Sequence, residues 1–211
     1  MNKAFDIADL VDDLEPVHAL NPRRPMLIAL AVTLGLFIFV GLTSGLRKDL
    51  LSGHPESIFL LRSGILLLLG VGTAHAVLEM ASPAVGKPQS SWQLALAAAL
   101  LFPLAALIVA LTGNSENVMA EMNSVGQCLA FSIFGALATA VPMVVHLRHG
   151  APTSHSRAGW LVGLASGGLG ALAYNLHCPF DDVVYIGTWY TLSVGTSAVI
   201  GRIFVPRLIR W

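Results

Sequence analysis

Charge is scarce in this chain of 211 residues: Asp, Glu, Lys and Arg together make up 11% of it, against about 25% in an ordinary soluble domain. That is too little to cover a water-facing surface, so a soluble globular protein is excluded. Cysteine is scarcer still. There are two, Cys128 and Cys178, with no Cys-x-x-Cys pair of the kind that dithiol exchange uses. No charged side chain falls at the middle of an apolar run and no internal repeat is visible, which leaves a transporter without the polar midplane its chemistry needs. The first 25 residues lack the cationic start, apolar stretch and small-residue cleavage site of a secretory leader.

Apolar residues, by contrast, make up 55%, gathered into runs close to the ~20 residues that a membrane-crossing helix needs. Six such spans are predicted: Met26 to Leu46, Ile58 to Leu78, Trp92 to Thr112, Val125 to Leu147, Gly159 to His177 and Val183 to Val205. The expected fold is therefore an all-α membrane protein. A six-helix transmembrane bundle occupies residues 26–211, and a short cytoplasmic amphipathic segment occupies residues 1–25. The Lys and Arg excess of cytoplasmic loops sets the orientation. With the N-terminus inside, Lys3, Arg23, Arg24, Lys87, Arg148, Arg157, Arg207 and Arg210 are cytoplasmic and only Arg47 and Lys48 fall outside. An even number of crossings returns the C-terminus to the cytoplasm.

Within the spans, Arg62 stands about one turn from the outer start of the second and is expected to snorkel outward. Tyr185, Trp189 and Tyr190 read as an outer aromatic belt. Gly159, Gly163, Gly167 and Ala171 repeat every four residues, so one face of the fifth helix lets a neighbour approach closely. Pro103 and Pro142 lie inside the third and fourth spans, where neighbouring helices satisfy the freed carbonyls.

Parity places both cysteines toward the outer face: Cys128 one turn into the fourth span, Cys178 just past the fifth. Such thiols are expected to be reachable from an oxidising compartment; the alternative is that each is a small buried hydrophobe. Cys128, near a helix N-terminus, is the more reactive candidate, because Asp181 and Asp182 oppose a thiolate at Cys178. Cys128, Cys178 and His177 also make a candidate ligand set for a soft cation, with His177 capping the helix end and Asp181 and Asp182 forming a solvated turn as the plainer alternative.

The acidic tail is the other informative stretch. In "FDIADLVDDLEPV", Ile7, Leu10, Val11, Leu14 and Val17 follow helical spacing, with Asp6, Asp9, Asp12 and Asp13 on the remaining surface. The segment is too short to be a stable helix alone, so it is expected to fold on a protein partner through Ile7, Leu10, Val11, Leu14, Asp9 and Asp13. Its acidity argues against direct contact with nucleic acid or anionic lipid.

Taken together, "DLEPVHALNPRRP", "LRHGAP", "AGWLVGLASGGLGALAYNLHCPFDD" followed by "GTWYTL", and the closing "GRIFVPRLIRW" resemble the NrsF family of six-span bacterial anti-sigma factors. The resemblance implies a regulator in the bacterial inner membrane, not an enzyme and needing no cofactor. Its tail would hold an extracytoplasmic-function sigma factor. Two outward cysteines, matched by Cys128 and Cys178, would respond to a heavy-metal ion or an oxidant and release that partner. A membrane thiol oxidoreductase and a small transporter are the alternatives from other classes.

Overall fold

The computed structural model describes residues 20–82, 91–112 and 122–210, and within them every regular element is a helix. In chain order these are α1 (Arg23–Thr43), the short α2 (Lys48–Leu51), α3 (Ser57–Met80), α4 (Ser91–Leu111), α5 (Met122–Arg148), α6 (His155–Asn175) and α7 (Val183–Leu208). α1, α3, the part of α5 from Gly126 to Arg148, and α7 are each long and apolar enough to cross a membrane. α4 contains a shorter apolar stretch, Ala99–Val109. Local signals set the ends. Ser154 caps α6 by accepting from the Arg157 N–H at 3.4 Å, and Asp182 caps α7 by accepting from the Tyr185 N–H at 2.8 Å. After α1, Gly45 takes φ +82°, a left-handed conformation that side-chain-bearing residues rarely adopt, and turns the chain back toward the bundle.

α6 is not among the four strongly apolar helices, and its position explains why. It is the bundle's axis, packed against α7, α5 and α3 and buried from Leu169 through Asn175. A helix enclosed by protein needs small residues for close approach more than it needs greasy ones for lipid. The face bearing Gly159, Gly163 and Gly167 meets α7: a Cβ on Gly163 would stand 2.5 Å from the Ala198 Cα, and one on Gly167 3.1 Å from the Val194 Cα. Two further glycines serve other neighbours. A Cβ on Gly168 would stand 3.0 Å from the Gly70 backbone nitrogen of α3, and one on Gly170 2.9 Å from the Gly135 carbonyl carbon of α5. The predicted close-approach face therefore exists, and its partner is the last helix. Contact between α5 and α6 runs through Gly135 and Gly170 instead.

α1 lies at the periphery against α5 and α6. It buries only Pro25, Ala29, Thr33, Leu36 and Val40, about one residue per turn. At one end of the bundle Leu20 and Met26 pack beside Val205 and Ile209 in a cluster with Leu147 and Ala158. The two ends of the described chain thus lie together.

Replacing Gly163 by Ala forces α6 and α7 apart and is expected to lower the stability of the detergent-solubilised protein by about 1–3 kcal/mol. Gly72→Ala, where nothing stands within 4 Å of the added carbon, should change it by less than about 1 kcal/mol. Thermal melting of the two variants checks this, and equal losses would contradict the close approach.

Candidate functional site

The opposite end of the bundle is where the chemistry collects. Here α6 runs into the loop Leu176–Asp182, and the segment that leaves α1 crosses over it. The Arg47 N–H donates to the Leu176 carbonyl at 3.2 Å, and the His177 ring nitrogen Nδ1 stands 3.1 Å from the Gly45 carbonyl. The Arg47 guanidinium then closes the junction. Its Nη1 donates to the Cys178 carbonyl and to Asp181 Oδ1, both at 2.8 Å, and its Nη2 donates to Asp181 Oδ2 at 2.6 Å. Its Nε donates to Asp49 Oδ1 at 2.9 Å. The side chain is 4% exposed and lies 5.3 Å over the ring of Phe59. Two-pronged pairing of this kind suits guanidinium and not ammonium.

A second arginine grips the same loop. Arg62, on the second turn of α3, is 1% exposed and donates through Nη1 to the Phe180 carbonyl at 2.8 Å. Its Nη2 is 3.7 Å from Asp181 Oδ1, and its guanidinium stacks 5.3 Å over Tyr190. The expectation that Arg62 snorkels is therefore overturned: its charge is buried with one hydrogen bond to the loop carbonyl and the Asp181 carboxylate nearby, while its Nε and Nη2 meet no hydrogen-bond partner among the described residues. Breaking a fully buried ion pair from one side costs about 3–5 kcal/mol. Asp181 and Asp49 remain 21% and 18% exposed, which puts the cost here at or below the low end. The hydrogen bond to Asp181, against some desolvation and with help from Asp49, raises the Arg47 pKa further above its ordinary value. Arg47 in turn holds the Asp49 carboxyl below the usual carboxylate range.

Both cysteines lie in the core beneath this junction. Cys128 is 0% and Cys178 2% exposed, and both are free thiols. They share one buried cluster with Leu66, Leu69, Tyr174, Tyr185 and Tyr190, against which Phe131, Phe180 and Trp189 pack. Phe131 stacks on Tyr174 with ring centres 5.9 Å apart, and Phe180 tilts over Tyr185 at 4.8 Å. Three expectations change accordingly. The thiols are not reachable from outside, because aromatic rings cover them. Tyr185 and Tyr190, 1% and 0% exposed, are part of that cover and not a belt at the membrane surface. The ligand set Cys128, Cys178 and His177 is not assembled: among the described residues no group of three or more His, Cys, Asp or Glu stands close enough to hold a metal ion, and Nδ1 of His177 faces a backbone carbonyl. The turn acids are not merely solvated either, since Asp181 pairs with Arg47 and Asp182 caps α7. Ile7, Leu10, Val11, Leu14, Asp9 and Asp13 lie outside the described residues.

Residues 10–211, which hold the acidic tail from Leu10 onward, both arginines and both cysteines, match the family described as NrsF, negative regulator of sigma F. The chain belongs to the NrsF family. Among curated relatives, the anti-sigma-F factor NrsF of Caulobacter vibrioides is 28% identical over 96% of this chain and 98% of its own length. A probable anti-sigma-F factor NrsF of Azospira oryzae is 26% identical over 78% of each chain. No solved structure matches the chain. NrsF proteins are thus regulators and not a class of enzyme, and the site is to be read as a junction between chain segments in place of a catalytic centre.

The residues that sequence reasoning missed are Arg47 and Arg62, which read as a loop charge and an interface charge. Their one visible signal is rarity: Arg47 and Lys48 are the only basic residues assigned to outer loops, and Arg62 is one of few charges inside a span.

Two measurements test this geometry. A membrane-impermeant maleimide should label neither Cys128 nor Cys178 in the folded protein and both after denaturation; rapid labelling of the folded protein would refute the aromatic cover. A carboxyl with a lowered pKa contributes stability that is present above the unfolded value, about 3.9, and is lost as pH falls through the folded one. The gap in melting midpoint between the parent protein and Asp49→Asn should therefore be constant above about pH 4 and close on further acidification.

Proposed function

We propose that this chain is a membrane-bound anti-sigma factor that holds an extracytoplasmic-function sigma factor through residues 1–25 and releases it when Cys128 and Cys178 are oxidised. The observation that carries this reading is the family match over residues 10–211, which runs from the tail through both cysteines to the last residue. Ile7, Leu10, Val11 and Leu14 form the stripe that enters a groove on the partner, and Asp9 and Asp13 set its charge. In this reading all six long helices cross the bacterial inner membrane and leave both termini in the cytoplasm. The meeting of Leu20 with Val205 and Ile209 in one cluster supports that arrangement, because an even number of crossings brings the ends to one side.

Oxidation joins the two thiols. Each sulfur gives up its proton, one S–S bond forms, and two electrons pass to an oxidant of the peroxide or disulfide class. Because both thiols are buried, the reaction requires the aromatic cover to open, and a bond between α5 and the loop after α6 then holds a different packing from the reduced one. A signal of this kind shifts an equilibrium only by its differential free energy for the two packings, typically about 1–3 kcal/mol. No observation favours the thiol oxidoreductase or the transporter: the buried guanidinium groups of Arg47 and Arg62 sit together at one end, gripping the loop that carries Cys178.

Deleting residues 1–20 should abolish co-purification of the sigma factor while leaving the protein in the membrane fraction; undiminished co-purification would place the binding surface elsewhere. Cys128→Ser and Cys178→Ser should each keep the partner bound and lose release by oxidant, and normal release from both variants would rule out thiol sensing.

A further inference from the structure

The geometry points to Arg47 as the positioning residue that joins the Cys178 loop to α1, and through α1 to the tail. The inference rests on the reading above for what the tail holds, but its structural basis is separate. Among the described residues α1 makes no polar attachment of its own to the rest of the bundle. Thr33 and Thr43 spend their hydroxyls on the Ala29 and Phe39 carbonyls of the same helix, and among the described residues no hydrogen bond or ion pair runs from α1 to another helix. Its buried face is Pro25, Ala29, Thr33, Leu36 and Val40, flanked by the half-buried Met26 and Phe37, which pack against the core at either end. Such a face holds a helix against its neighbours but gives few directional constraints on its axial position.

Those constraints come just beyond its C-terminal end. The Gly45 carbonyl, the Arg47 N–H and the Arg47 guanidinium engage His177, Leu176, Cys178 and Asp181 in turn. The loop that carries Cys178 therefore sets where α1 sits. A backbone shift at Cys178 carries along its own carbonyl and bears on the Asp181 carboxylate three residues on, which are the two groups Arg47 grips. Arg47 either follows or lets go. Because α1 is a continuous helix of 21 residues, about 30 Å long at 1.5 Å per residue, either response moves Arg23 at its far end, where the tail begins.

The reduced, closed arrangement is the one that holds the sigma factor, so loosening the grip should mimic the signal. In unstimulated cells, Arg47→Ala and Asp181→Asn are expected to retain at least fivefold less sigma factor in the membrane fraction, the low end of coupling between linked sites. Asp181→Glu, which keeps the carboxylate, should restore most of it. Parental retention in Asp181→Asn, a nearly isosteric change, overturns the inference even if Arg47→Ala fails to insert. A measurement independent of the partner reads the same step. With spin labels at the exposed positions 24 and 157, in a Cys128→Ser, Cys178→Ser background, the inter-label distance should shift in Asp181→Asn and return in Asp181→Glu. An unchanged distance overturns the coupling. If the parent protein holds no sigma factor, the reading of the tail fails and this distance alone decides the role of Arg47. If serine variants at the cysteines still respond while Asp181→Asn releases its partner constitutively, thiol sensing fails and the role of Arg47 stands.

Discussion

A guanidinium group buried at the end of a bundle of apolar helices must find most of its compensation within the protein, and the chain around Arg47 is arranged to supply it. The Cys178 carbonyl and the carboxylates of Asp181 and Asp49 accept its hydrogen bonds, and Phe59 stacks beneath it. That requirement fixes the path of two loops, the one leaving α1 and the one leaving α6, and places the Cys178 backbone within hydrogen-bond reach of a residue 131 positions earlier. Arg62, bound to the Phe180 carbonyl two residues on, holds the same loop from the side of α3. Between them the two arginines anchor the loop from the side of α1 and from the side of α3.

The rest of the bundle makes this enclosure attainable. Cys178 can lie at 2% exposure only because α6 sits at the axis, and α6 can sit there only because its glycines let α7, α3 and α5 approach on different faces. Close approach in turn brings Tyr174, Tyr185 and Tyr190 around the two sulfurs. Glycine spacing, aromatic cover and buried charge are linked constraints: widen the helix contacts and the cover loosens, and once the cover loosens water reaches the arginine pairs and weakens them.

Much of the fold was legible because the length of apolar runs is a strong signal in so apolar a sequence. Helices occur at all six expected places, with ends within about four residues of expectation, and the four-residue glycine repeat correctly announced a close-packed face. Which neighbour that face meets was not legible, because Gly159, Gly163 and Gly167 carry no mark that distinguishes α5 from α7. The site was half visible. Parity brought Cys128 and Cys178 to one end of the bundle, but their burial depends on pairings such as Arg47 with Asp181, 134 residues apart, and no local pattern encodes those. Tyr185 and Tyr190 were misread for the same reason: near a span end an aromatic ring serves equally well as an anchor or as a lid, and tertiary packing decides.

Everything proposed for the passage of a signal depends on the Arg47 and Asp181 side chains interacting strongly in the folded protein. A double-mutant cycle on thermal unfolding of the purified protein, using Arg47→Ala, Asp181→Ala and the combined variant, measures that interaction directly. The account predicts a coupling free energy of about 1–3 kcal/mol, within the range of residues that share a buried network. Additive effects, with a coupling below about 0.3 kcal/mol, would contradict it.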